Sequence, residues 1–202
     1  MQPFTQVSGT AAPMLAANID TDVIMPKQFL KGIDRAGLDR GLFFDLRFLP
    51  DGSPNPAFIL NQPGWQGSSF MVVGPNFGCG SSREHAVWGL KQMGIRALIG
   101  SSFAGIFYDN CQRNGVLIIT LDEAQLQDLG RVISEAGTAQ IEVDLPQQQI
   151  RLLDGRVIPF QIDELRKDAL LLGLDAIGST LQRSEQIRTF ERQHLAQNPW
   201  LG

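Results

Sequence analysis

Residues that handle negative charge crowd into one short stretch, Gly78-Cys79-Gly80-Ser81-Ser82-Arg83-Glu84-His85. Two serines offer hydroxyl donors. Arg83 offers a planar, permanently charged fork that fits a carboxylate or phosphate two bonds at a time. Cys79 lies between two glycines, where a thiol beside a helix N-terminus can become acidic. The spacing therefore suits an anion site, and a nucleophile at Cys79 is the competing chemistry.

The flanking residues say how these groups are positioned. Phe70-Met71-Val72-Val73 reads as a buried strand, and Ala86, Val87, Leu90 and Met93 follow at helical spacing. The order is strand, glycine loop with Gly74, Gly78 and Gly80, then helix N-terminus. The first N–H groups of a helix lack intrahelical partners, and its dipole places positive potential there. A structural alternative uses the same residues: Ser81 as N-cap with Glu84 three residues on makes a capping box. One serine can cap while the other faces a ligand.

Other chemistries fit less well. A cysteine nucleophile needs a base and an orienting group, and His85 and His194 are the only histidines. Two cysteines and two histidines, widely scattered, show no zinc spacing and cannot supply the three or four thiolates of an iron–sulfur cluster. Cys111, among apolar neighbours, reads as a core thiol. The loop lacks the Gly-Lys-Ser/Thr ending of a P-loop, and arginine stands where a dinucleotide fingerprint needs its third glycine. A small polycarboxylate is the ligand class left.

The rest of the chain reads as α/β. Phe4 to Met14 is a first strand. Asn18-Ile19-Asp20-Thr21-Asp22 reads as an Asx-type turn into a strand end; the functional alternative is that one of its two carboxylates orients an arginine or a substrate hydroxyl. Lys27 to Phe48 is basic and glycine-spaced, suited to a loop that closes on an anion. Leu49 to Gly67 is a proline-rich connection. Strands at 95–99 and 116–119 alternate with helices, one capped by Ser101 or Ser102 and one opened by Asp122, which predicts parallel pairing. The period then changes to alternation at Ile141, Val143 and Leu145. A hairpin about Asp154-Gly155 follows, then a helix from Asp163 and a last polar helix over 184–194. One domain spans 1–202, with a hairpin-and-helix region over about 140–202.

Composition narrows the functional class. With 202 residues and 43% hydrophobic residues, a sizeable core can form. A net charge of −4 without a basic block argues against a nucleic-acid groove. No apolar run approaches the ~20 residues of a membrane span. The first residues lack the features of a signal peptide, and two cysteines suit a reducing cytoplasm.

The stretch Asn76-Phe77-Gly78-Cys79-Gly80-Ser81-Ser82-Arg83-Glu84-His85-Ala86 resembles the signature of aconitase swivelling domains. It is most similar to the small subunits of bacterial 3-isopropylmalate dehydratases. Asn18-Ile19-Asp20-Thr21-Asp22, Pro26-Lys27-Gln28-Phe29-Leu30, Ser102-Phe103-Ala104 and Gly173-Leu174-Asp175 extend the resemblance over nearly the whole chain. It implies a swivelling β/β/α domain with a mixed sheet and flanking helices. It also implies a separate large subunit that carries a [4Fe–4S] cluster on three cysteines, with iron acting on the departing hydroxyl of a small dicarboxylate substrate. Ser81 would be the base on a substrate C–H, and Ser82 and Arg83 would bind carboxylate. Asp22 would join the substrate site, as would Arg35 from the 27–40 loop, with Lys27 and Arg40 as alternatives. The implied reaction interconverts 2- and 3-isopropylmalate through 2-isopropylmaleate. Another 2-hydroxy diacid such as methylmalate or homoaconitate is the rival substrate. A non-catalytic anion-binding assembly module is the rival role. At 36–39 the sequence reads Ala-Gly-Leu-Asp where the family commonly has Thr-Gly-Phe-Gly.

Overall fold

Seven strands form one mixed sheet in a computed structural model that describes residues 1–31, 35–135, 137 and 139–201. Along the chain come β1 (Gln6–Met14), the single-turn helices α1 (Thr21–Ile24) and α2 (Phe44–Arg47), β2 (Phe70–Val73) and α3 (Glu84–Gln92). Next are β3 (Ala97–Gly100), α4 (Gly105–Asn114), β4 (Leu117–Thr120) and α5 (Glu123–Ile133). The chain continues with β5 (Gln140–Asp144), β6 (Gln149–Leu152), β7 (Val157–Pro159), α6 (Glu164–Leu172), α7 (Ala176–Leu181) and α8 (Ser184–Gln197). The strand order is β4-β3-β2-β1-β5-β6-β7. β1 to β4 pair in parallel; β5, β6 and β7 join antiparallel on the other side of β1.

The parallel half follows from its apolar runs. Successive side chains of a strand point to opposite faces, so a strand covered on both faces is apolar throughout. Phe70 and Val72 of β2, with Ile99 and Ile119, pack on one face with Leu126, Leu129 and Ile133 of α5. Met71 and Val73, with Leu98 and Ile118, pack on the other face with α3 and α4. In β5, Ile141 and Val143 enter the core while Glu142 between them faces out, the alternation of a strand with one wet face.

Several local expectations are corrected. The Asx turn at Asp20 leads into the helical turn α1, because the Asp20 carboxylate accepts from the Val23 N–H at 2.8 Å and caps a helix rather than a strand. Residues 27–47 hold two 3-10 turns and α2 rather than one irregular loop; Gly32, Ile33 and Asp34 within it lie outside the described residues. Neither Ser101 nor Ser102 caps α4. Ala104 holds that position, and the Ser102 hydroxyl instead accepts from the Asn76 N–H at 2.8 Å. Asp122 opens α5 as expected, and the structure adds a capping box with Gln125. α7, capped by Asp175, lacked a sequence expectation; Gly173 and Gly178 around it break the apolar period.

Candidate active site

β2 ends at Val73 and the chain enters the glycine loop, which is strapped on both sides. On one side the Gly78 N–H donates to the Ile19 carbonyl (2.8 Å) and the Thr21 N–H to the Cys79 carbonyl (2.9 Å). The Thr21 hydroxyl donates to the Ser81 carbonyl at 2.6 Å. On the other side the Ala104 N–H donates to the Phe77 carbonyl, and the Phe77 ring meets Phe107 of α4 edge-on at 5.6 Å. Gly78 and Gly80 have φ of +76° and +86°, the left-handed region where a side chain is strained. At Gly78 a Cβ would also strike the Phe107 ring. The loop is thus bent by its glycines and fixed by its neighbours.

Ser81 and Ser82 emerge exposed at its end. They border a cleft of about 150 Å³ whose opposite wall is Ile106 and Phe107 at the start of α4. Arg83 follows and turns inward; it is only 8% exposed. Its guanidinium holds the Asp22 carboxylate at 2.5 Å and the Met25 carbonyl at 3.4 Å. The bond from Arg83 holds the Asp22 carboxyl below the usual carboxylate range, aided by the charges of Arg83 and Lys27 against an opposing desolvation. The result is a buried cation fixed behind two exposed hydroxyls.

The capping box at Ser81 and Glu84 does not form. The N-cap of α3 is Arg83, in extended conformation and without a side-chain cap. Ser81 lies two residues before that N-cap, its carbonyl tied to Thr21, and Glu84 accepts from Asn114 at 2.7 Å instead. The early N–H groups of α3 therefore keep their positive potential.

Ser81, Ser82, Arg83 and Asp22 come together in space. Arg35 does not join them at the cleft: its guanidinium lies 4.1 Å from the Trp88 ring, and its carbonyl accepts from the Gln92 amide. Lys27 lies near enough to Asp22 to act on its charge, and Arg40 is exposed. His85 packs on Trp88 at 4.7 Å, and no hydrogen bond joins it to Cys79 among the described residues. Cys111 is fully buried, and burial pushes its thiol well above the usual range. These two cysteines do not fit a cluster, and the described residues contain no group of three or more His, Cys, Asp or Glu able to hold a metal. Thr21 carries no local signal of its own in the sequence, standing between two acids in a polar turn. Its side chain, 1% exposed in so polar a pentapeptide, is visible only in the fold. No helix among the described residues is long and apolar enough to cross a membrane.

Comparison with known proteins agrees with this geometry. Residues 1–124 match the aconitase C-terminal domain family. Residues 131–164 match the family described as LeuD_N, and residues 177–202 match the family of C-terminal domains of the 3-isopropylmalate dehydratase small subunit. The chain is 61% identical to 3-isopropylmalate dehydratase small subunit 1 of Mannheimia succiniciproducens, covering 100% of this chain and 99% of that protein. It is 59% identical to small subunit 2 of Salmonella typhimurium, over 100% of this chain and 96% of that one. A crystal structure of 3-isopropylmalate dehydratase from Methanocaldococcus jannaschii superposes with a TM-score of 0.67 at 25% identity, covering 93% of this chain and 99% of the other. By this likeness over its whole length, the chain belongs to the 3-isopropylmalate dehydratase small-subunit family, with the aconitase-type α/β swivelling fold.

Proposed function

We propose that this chain is the small subunit of a hydro-lyase that interconverts 2-isopropylmalate and 3-isopropylmalate through 2-isopropylmaleate, the step used in leucine biosynthesis. The observation that carries the reading is the exposed Ser81-Ser82 pair held in front of a buried, oriented Arg83. A [4Fe–4S] cluster belongs to the large subunit in this reading, because the cysteines of this chain do not fit one.

Ser81 takes the proton from the substrate carbon next to a carboxylate, and returns it when water adds in the other direction. A serine hydroxyl is a feeble base in water. Positive potential from the α3 N-terminus and from Arg83 favours its ionised form. The same potential stabilises the extra negative charge that grows on the substrate carboxylate during proton removal, more than it stabilises the ground state. Ser82 donates to that carboxylate. Asp22 acts as a positioning residue that fixes the plane of Arg83. Arg35 supplies loop-side positive charge from its platform on Trp88. Because the serines are exposed, the large subunit must cover them to shut out bulk solvent while leaving room for the one water that the reaction releases or adds.

The test is reconstitution with the large subunit. Wild-type chain should be inactive alone and hydrate isopropylmaleate when assembled. Ser81→Ala should lose on the order of 10²–10⁴ in turnover, as expected for a removed general base, while still assembling. Near-normal turnover in the assembled Ser81→Ala enzyme would overturn the base assignment. Faster hydration of citraconate than of isopropylmaleate would reassign the substrate.

A further inference from the structure

The C-terminal helices leave apolar surface with nothing over it. No residue of α7 or α8 is buried. A 14-residue helix such as α8 is marginal in water and is normally stabilised by a packed apolar face. Here Ile187 and Phe190 lie three residues apart on α8, and Phe190 is 67% exposed. Across from them α6 shows a second uncovered stripe, Leu165 and Leu172, two helical turns apart, with Leu165 74% exposed. Between α6 and the start of α8 runs a groove of about 510 Å³, where Leu165, Ala169, Leu172 and Ile187 line it together with polar residues of α6, α7 and the turn before α8, Asp168 and Arg183 among them. Isolated apolar side chains on a surface are ordinary; a contiguous groove of them marks a contact site.

Helix α4 and a second hollow lie between this groove and the candidate active site. Ile106, 61% exposed, forms the cleft wall opposite Ser81 and Ser82. One face of α4 carries it on to Asp109 and Arg113, three and seven residues later. Those two border a second hollow with Leu165 and Arg166 of α6, where Asp109 and Arg166 pair at 3.6 Å. Leu165 also belongs to the large groove. A partner lying over the serines and following α4 therefore arrives at the groove without crossing a ridge of the sheet.

Interface size points the same way. Two separate chains need roughly 800 Å² on each partner for a stable contact. The ten residues that line the Ser81–Ser82 cleft are fewer than the roughly 20–30 a side of such a contact. The region matched by the aconitase C-terminal domain family ends at residue 124, whereas 177–202 match a family described for the dehydratase small subunit. A domain that is part of a longer chain is kept in place by its tether, but a separate subunit must supply that hold through contact.

We infer that the α6–α8 groove docks an apolar segment of the large subunit, anchoring the two chains while the Ser81–Ser82 cleft meets the cluster-bearing side. The inference rests on the function proposed above for its choice of partner. Binding, not turnover, tests it. The double variant Leu165→Gln, Ile187→Gln in the full chain should raise the Kd for the large subunit by roughly 10–100-fold, the loss expected when interface anchors are removed. Turnover per assembled complex at saturating large subunit should remain at the wild-type value. In wild-type chain, amide hydrogen exchange of α7 and α8 should slow when the large subunit is added, a readout that needs no variant. An unchanged Kd, or α8 amides as fast in the complex as outside it, would overturn the inference. So would a variant that converts a self-associated chain to monomers yet binds the large subunit normally, since the groove then belongs to a second copy. Wild-type chain that never associates with the large subunit would sink the proposed function as well; loss of turnover in Ser81→Ala with normal assembly leaves that function standing whatever the groove does.

Discussion

Arg83 is held through one nitrogen of its guanidinium, Nη1, which meets both the Asp22 carboxylate and the Met25 carbonyl before any ligand arrives. Asp22 takes one guanidinium nitrogen at 2.5 Å and remains half-exposed itself. An aspartate in this position keeps a mobile cation in one orientation. It also makes the site sensitive to acid. Folding lowers the Asp22 pKa, chiefly through the bond from Arg83. Its stabilising contribution is therefore present above its unfolded-chain pKa, about 4. It is lost as pH falls through the lower folded value. Asp22→Asn should melt below wild type at neutral pH, and the two Tm curves should converge as pH drops below about 4. A Tm gap that persists undiminished in acid would mean that Asp22 stabilises the fold by something other than its charge.

At the scale of elements, the glycine loop is a rigid bracket between α1 and α4. Asp20 caps α1, Thr21 grips the Ser81 carbonyl, and Phe77 packs edge-on against Phe107. The φ of +76° at Gly78 lets the chain turn between these anchors. Gly78→Ala should cost at least about 1–2 kcal/mol from the left-handed backbone alone. It should cost more because the new Cβ meets the Phe107 ring, which also walls the cleft. Denaturant titration reads the first effect, and turnover of the assembled enzyme reads the second. A variant within about 0.5 kcal/mol of wild type would show that the bracket yields more easily than its contacts imply.

On the scale of the whole molecule, β1 joins two kinds of sheet, and the residues before it tie α6 to both. Phe4 is fully buried, its N–H donates to the Leu170 carbonyl of α6 at 2.9 Å, and Arg96 caps its ring while donating to the Pro3 carbonyl. The Met1 ammonium donates to the Gly173 carbonyl at 2.6 Å. This knot links the parallel half, the antiparallel half and the base of the helical appendage. Phe4→Ala should therefore cost about 3–5 kcal/mol, as for other buried phenylalanines, in one cooperative transition that includes α6. Separate melting of α6 before the sheet would show that the knot does not couple them.

The sequence by itself determined the strand–glycine loop–helix order, the parallel half of the sheet and the adjacency of two serines and an arginine at the helix start. Apolar runs, alternation and glycine punctuation are local signals, and each reports an element directly. Ser81, Ser82 and Arg83 were legible because they are adjacent. Asp22 was legible only as a carboxylate in a polar turn, and its pairing with the distant Arg83 belongs to the fold. Tertiary structure alone decided that Thr21 holds the loop, that Ser81 does not cap α3, and that Arg35 rests on Trp88. It also decided that Ile106 faces the serines and that α7 and α8 bury nothing. The physical reason is common to them all. A side chain's partner depends on which distant element the sheet order brings beside it, and local spacing carries no information about that.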